Sequence, residues 1–231
     1  MEISPDSIEY TRWGLAVLNA TILYTWGVML LIVLFSWSVV RRLTSSTDFD
    51  FCQNLLEVLV GNLLNQIEDA TRQNPARFLP FLGTLFIFIL VSNILTFVPG
   101  FKPPTGSLST TTALALCVFF AVPYYGIREH GLKNYLAGYL QPTPFLLPFN
   151  IFGELSRTVA LALRLFGNIM SGSMMGAILL LLAPLFVPVV MQLVGLLIGV
   201  VQAYIFTMLA AVFIASGMEA HTETAKRKQK E

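Results

Sequence analysis

The sequence predicts an all-α integral membrane protein with about five membrane-embedded helices and one amphipathic surface helix, the last two spans being long and tilted. Three observations carry that prediction. First, 55% of the 231 residues are apolar and only 12% are charged, whereas a soluble domain carries roughly 25% charged residues. Second, the apolar residues gather into runs of the length that a bilayer requires, about 20 residues per helix. Third, the basic residues fall on one side of the membrane when those runs are threaded back and forth. The formal net charge of +1 gives a nucleic-acid partner no electrostatic support.

Residues 1–20 form a short outer N-terminus. Glu2, Asp6 and Glu9 are acidic, and the apolar run from Leu15 to Val40 is too long for the core of a cleavable signal peptide. The first membrane helix is placed at 21–40. Residues 51–73 differ in kind. Leu55, Leu56, Val58, Leu59, Leu63, Leu64 and Ile67 alternate with Gln53, Asn54, Glu57, Asn62, Asn65, Gln66, Glu68 and Asp69 at helical spacing. Such a helix is too polar to span and belongs on the membrane surface or against a neighbouring helix.

The second membrane helix is expected at 78–99 and the third at 111–127. The loop from Pro99 to Gly106 reads as connecting turn chemistry. The long apolar region beyond it is interrupted by Ser171-Gly172-Ser173 and by Pro184 and Pro188. It divides into helices at 145–171 and 173–217, followed by a cytoplasmic tail at 218–231, and the whole chain forms a single membrane domain. Cys52 and Cys117 lie far apart in unlike surroundings and read as structural thiols rather than a disulfide or a metal site.

Arg41-Arg42, Arg72 with Arg77, Arg128 with Lys133, and the terminal Lys226, Arg227, Lys228 and Lys230 all reach one side if the helices alternate. The opposite side receives only Arg12 and Lys102. The N-terminus is therefore expected to face outward and the C-terminus the cytoplasm.

The informative segment lies in the fourth span. Asn150, Glu154, Arg157, Arg164 and Asn168 are separated by 4, 3, 7 and 4 residues, which keeps them on one face of a helix, with Leu161 filling the gap. An arginine at the centre of a span costs about 3 kcal/mol on insertion scales. It cannot escape by losing its proton. Glu154 is nearly three turns from Arg164 and closer to Arg157, and the other apolar spans hold no carboxylate. The counter-charge of Arg164 is therefore expected from another subunit or from the transported species, rather than from a helix of this chain. Glu154 and Arg157 admit two readings, a structural pair or the lining of a hydrated path. In the last span Gln192, Gly195, Gly199, Gln202 and Phe206 share a face. The glycines allow close helix packing, and Gln202, an amide in lipid, seeks a partner beside Arg164.

The string Leu163-Arg164-Leu165-Phe166-Gly167-Asn168 within Ser156–Ser173, the downstream Gln202-Ala203-Tyr204-Ile205-Phe206-Thr207-Met208-Leu209 and the weaker Ser92–Gly100 resemble subunit a of the F-type ATP synthase membrane sector, the ATPase subunit 6 family. The resemblance covers most of the chain, from the surface helix to the C-terminus. It implies a stator subunit that forms two ion half-channels against a ring of c subunits, each carrying a buried carboxylate. It further implies b subunits of the peripheral stalk and the rest of the complex as partners, the bacterial plasma (inner) membrane as location, and no cofactor. The family's essential arginine maps onto Arg164, its nearby amide onto Gln202 and its asparagine onto Asn93. The ion path then runs past Gln202, Asn168, Asn93, Glu154, Arg157, Ser171 and Ser173. The resemblance implies a non-catalytic part of an ion-translocating complex.

One departure stands out. Many members carry an acid and a histidine where this chain has Ser173 and Gly195. Neither residue can relay a proton by titrating. Ser171, Ser173, Asn93 and water would line the outer path. Proton translocation is the leading expectation and a sodium path, which needs only oxygens and water, is its alternative. A self-contained secondary transporter is the distant alternative; it calls for inverted repeats, which the sequence lacks. An intramembrane enzyme would need a nucleophile and base at depth, whereas His130 and His221 are placed in a loop and a tail.

Overall fold

A computed structural model describes residues 9–13, 16–42, 51–98, 101–132, 135, 147–182 and 187–228. Lys133, Lys230, Pro99, Gly100 and Pro184, which enter the sequence reading as charges or helix breakers, lie outside the described residues. Six α-helices account for most of what is described: α1 Ala20–Arg42, α2 Phe51–Thr71, α3 Leu79–Ile94, α4 Leu108–His130, α5 Leu147–Leu182 and α6 Val187–Lys228. All but α2 contain a stretch long and apolar enough to cross a membrane. The chain is a multi-pass membrane protein of the all-α class, as its composition requires.

Several details depart from expectation. Glu9–Trp13 and Ala16–Asn19 pair as a short antiparallel hairpin ahead of α1; Tyr10, Thr11, Trp13 and Val17 are residue types that favour strands. Helix α3 gives way at Ile94 to a tighter turn over Leu95–Phe97. Helix α4 exceeds its expected limits at both ends, so that His130 closes a helix rather than sitting in a loop. Helix α5 runs unbroken through Ser171-Gly172-Ser173. One glycine costs a helix only about 1 kcal/mol, and the Ser173 hydroxyl donates back to the Met170 carbonyl at 2.9 Å, so the triplet is absorbed. Helix α5 is described to Leu182 and α6 from Val187. Pro188 is tolerated in the first turn of α6, where its missing N–H has no intrahelical partner to lose. Finally, α6 continues as helix to Lys228, well past 217, and takes in His221.

Lipid is as apolar as leucine, so helices in a bilayer associate through close packing rather than through burial from water. Helix α6 is built for this. Gly199, Gln202, Ala203, Phe206, Thr207, Ala210, Ala211 and Ile214 form its buried face, small residues alternating with a few large ones at helical spacing. Against it pack α3, α4 and α5, whose Leu82, Phe86, Ile89, Val118, Val122, Leu161 and Leu165 belong to the same buried cluster. The stretch of α6 from Val189 to Ile198 remains almost wholly exposed.

Helix α2 does not stand apart. Leu63 and Ile67 are buried, and the helix lies against α6 and α3. It ends where Arg72 turns into a left-handed conformation (φ 52°) and donates its N–H to the Glu68 carbonyl at 2.7 Å. Helix α1 is peripheral, with little of its span buried. Val28 is buried, whereas Trp26, Leu30, Val33 and Trp37 are exposed. The Arg41 guanidinium lies 3.7 Å from the centroid of the Trp37 ring, a cation–π contact suited to a membrane interface. An ion pair between Arg77 and Glu129 ties the turn before α3 to the end of α4.

Candidate functional site

Helix α5 presents two unlike sides. Thr158, Leu161, Ala162 and Leu165 are buried against the bundle. Asn150, Arg157 and Arg164 are exposed, and Glu154 and Asn168 are half-buried. At 100° per residue, the polar stripe therefore runs along the flank of the helix, where the packed side meets the open one. Leu161 does not complete that stripe, as its spacing suggests; at 2% exposure it belongs to the core.

Beside the stripe the surface is shallow. Gly153, Ala160 and Gly167 recur every seven residues, and a Cβ at Gly153, Gly167, Gly172 or Gly176 would meet nothing within 4 Å. Another helix can come close to the backbone here. Among the described residues, no hydrogen bond or ion pair engages Arg164. The Arg157 guanidinium is 5.6 Å from the centroid of the Phe213 ring on α6, which holds it at the α5–α6 seam about 10 Å along the axis from Arg164.

A second polar centre joins α3, α6 and the turn Pro104–Gly106. Asn93 is buried, and its Nδ2 donates to the Gly199 carbonyl at 2.8 Å. Its Oδ1 accepts from the Thr105 hydroxyl at 3.1 Å. Gly199 is required for this approach, because a Cβ there would lie 2.9 Å from Asn93 Cβ. Thr105 and Ser107 are fully buried, and the turn packs on α5 as well. The segment that reads as a plain connection is thus folded into the bundle. One turn along α6, Gln202 is 6% exposed, and its Nε2 has no hydrogen-bond partner among the described residues. The same holds for the hydroxyl of Ser92, the residue before Asn93.

The expected residues therefore fall into separate groups. Arg164, Arg157, Asn168 and Glu154 share the flank of α5. Asn93 and Gln202 lie inside, at the α3–α6 contact. Ser171 and Ser173 are exposed on α5, as is Gly195 on α6. Helices α5 and α6 pack together, yet no hydrogen bond joins Arg164 to Gln202 among the described residues. Thr105 and the side chain of Ser92 are not singled out by sequence reasoning. Thr105 gives no signal, since it sits among turn residues, whereas Ser92 is visible as a hydroxyl next to Asn93 in an apolar span.

Residues 22–215 match the family model of the ATP synthase A chain. The chain is 58% identical to a protein of Acaryochloris marina named ATP synthase subunit a 2, over 95% of this chain and 94% of that one. It is 56% identical to ATP synthase subunit a 1 of Crocosphaera subtropica, over 94% of this chain and 95% of that one. It is also 52% identical to ATP synthase subunit a of Nitrosospira multiformis, over 97% of this chain and 90% of that one. With an exposed arginine on a membrane helix and a match across nearly the whole bundle, the chain belongs to the ATP synthase A chain family, the a subunits of F-type ATP synthases.

Proposed function

We propose that this chain is the stator half of a rotary path for protons, with Arg164 as the charge that works on the rotor. The observation that carries this reading is the position of Arg164: exposed on a membrane helix, beside open glycines, with no counter-charge among the described residues. A guanidinium at that depth calls for an anion from outside the chain. The carboxylate of a c subunit, arriving as the ring turns, supplies it. A guanidinium nearby favours the ionised carboxylate, so each c subunit releases its proton as it reaches Arg164. The same fixed charge repels cations and keeps two offset half-channels from joining. Ion flow, worth about 2.3 kcal/mol per charge per 100 mV, is thereby coupled to rotation and to ATP synthesis.

In this reading Asn168 flanks the rotor contact, and Glu154 and Arg157 line the cytoplasmic half-channel. Asn93, Gln202, Ser171 and Ser173 serve the outer one, where water and neutral oxygens replace titrating groups. The N-terminus faces outward and the C-terminus the cytoplasm of a bacterial plasma (inner) membrane. The peripheral-stalk b subunits complete the stator.

Cysteine crosslinking tests the assignment of faces. A cysteine at Gly167 or Asn168 should capture a c subunit in the assembled enzyme, and one at Leu161 should not. Capture at Leu161 but at neither of the others would overturn the reading. Proton transport is tested by ATP-driven acidification of inverted vesicles without sodium; uptake that requires sodium and persists with a protonophore would replace the proton as the transported ion.

A further inference from the structure

One short turn touches most of the bundle. Pro104–Gly106 lies against α1, α3, α4 and α5, and its three residues are buried. The turn is stiff. Pro103 and Pro104 each fix a backbone dihedral. The Gly106 N–H donates to the Pro103 carbonyl and the Ser107 N–H to the Pro104 carbonyl, both at 3.0 Å. Thr105 ties the turn to α3 through Asn93 Oδ1 at 3.1 Å, and Asn93 is itself bonded to the Gly199 carbonyl of α6.

On its other side the turn meets α5 at Ile169. A Cβ at Gly106 would stand 3.1 Å from Ile169 Cγ2, closer than the separation of about 3.5–4.0 Å that two carbons prefer. Among the described residues only Arg72 and Gly131 have a positive φ, so the Gly106 backbone does not itself require glycine. What glycine provides is a short stand-off between turn and helix. The contact falls where α5 loses other support: Leu165 is buried, and no residue from Phe166 to Leu181 is. Ile169 is five residues from Arg164, about 7.5 Å along the axis and about 140° around it. The turn therefore presses on the helix from behind the arginine.

We infer that Pro104–Gly106 is a positioning element for the rotor contact: it braces α5 through Ile169 and sets how far Arg164 stands out from the bundle. The inference rests on the stator role proposed above and adds what holds the charge in place. A rotor carboxylate drawn to Arg164 pulls equally on α5, and a helix buried only as far as Leu165 would follow it. Gly106 and Ile169 carry no group that binds or releases an ion. They act through Arg164, as positioning residues. Ile169 transmits the load faithfully, because a β-branched side chain on a helix has one strongly preferred rotamer and its Cγ2 cannot swing aside.

The test uses the assembled enzyme in inverted vesicles, with ATP-driven pumping expressed per assembled complex. Relieving the new contact in Gly106→Ala to about 3.5 Å moves α5 outward by about 0.4 Å. A misplacement of 1 Å costs about a hundredfold in rate, so pumping should slow about sixfold. Ile169→Ala lets the helix settle the other way and should slow pumping as well. Because the two shifts oppose each other, the double variant should pump faster than either single one, close to the unaltered rate. Gly217→Ala is the control for packing alone: its Cβ would stand 2.6 Å from Val122 Cγ1 on α4, and pumping per complex should stay unchanged. A double variant no faster than the slower single one, or equal slowing by Gly217→Ala, overturns the inference. If Gly106→Ala fails to assemble, Ile169→Ala decides. An unaltered rate overturns the inference, and slowing that Ile169→Val does not show supports it. Arg164→Ala separates the two claims: pumping that survives it removes the stator reading, whatever the turn does. Pumping lost in Arg164→Ala and unaltered in Gly106→Ala removes only the brace.

Discussion

Replacing Gly199 with alanine sets two effects of known sign against each other. In the helix alone the change is favourable by about 1 kcal/mol. In the bundle the new methyl would lie 2.9 Å from Asn93 Cβ and 3.3 Å from both Cγ and Nδ2. Helix α3 must then shift away, which lengthens the 2.8 Å bond from Asn93 Nδ2 to the Gly199 carbonyl. Interhelical hydrogen bonds in membranes contribute about 0.6 kcal/mol on average and up to about 1.7. A buried amide left unpaired costs about 1–3 kcal/mol. The bundle terms exceed the propensity gain, so Gly199→Ala should destabilise the chain by about 1 kcal/mol. Gly195→Ala, one turn away, is the control: a Cβ there meets nothing within 4 Å, so the helix gains propensity and stability stays level or rises. Both variants can be followed by tryptophan fluorescence during SDS titration in mixed micelles. Equal or reversed effects of the two alanines would refute the role of Asn93 as a packing pin.

Other outcomes follow from the same contacts. Thr105→Val removes the donor to Asn93 Oδ1 at nearly constant volume and should lower stability by about 0.5–2 kcal/mol, whereas Thr105→Ser should recover most of it in the same titration. Glu129→Gln breaks an ion pair whose partners are about one-third exposed; its cost should stay below about 1 kcal/mol and shrink with added salt. Phe213→Leu removes the ring beside Arg157, a contact worth about 0.5–1 kcal/mol at an exposed site. In the same SDS titration Phe213→Leu should cost more beside Arg157 than beside Arg157→Ala, the difference being about 0.5–1 kcal/mol.

The membrane class and the number of spans were legible because each depends on summed apolarity. The register of Arg164 on α5 was legible because helical spacing is rigid. What escaped the sequence depends on which neighbour arrives. Leu161 and Arg164 differ by three residues, and periodicity alone places both on one stripe; packing against α4 and α6 separates them. The Ser171-Gly172-Ser173 triplet looks like a break by composition, yet α5 carries it at small cost. Asn93 stands out in the sequence, but its partners do not. Gly199 comes from a helix 106 residues away, and Thr105 from a turn that local sequence describes as a loop. The folding of that turn into the bundle is a tertiary event, invisible to any local pattern.

The central claim is that Arg164 meets its counter-charge on the rotor. ATP-driven proton uptake by inverted vesicles containing the assembled Arg164→Ala enzyme tests it most directly. Coupled uptake should disappear although the complex assembles, because nothing remains to favour the ionised rotor carboxylate or to separate the half-channels. Coupled uptake at a rate near that of the unaltered enzyme would contradict the claim.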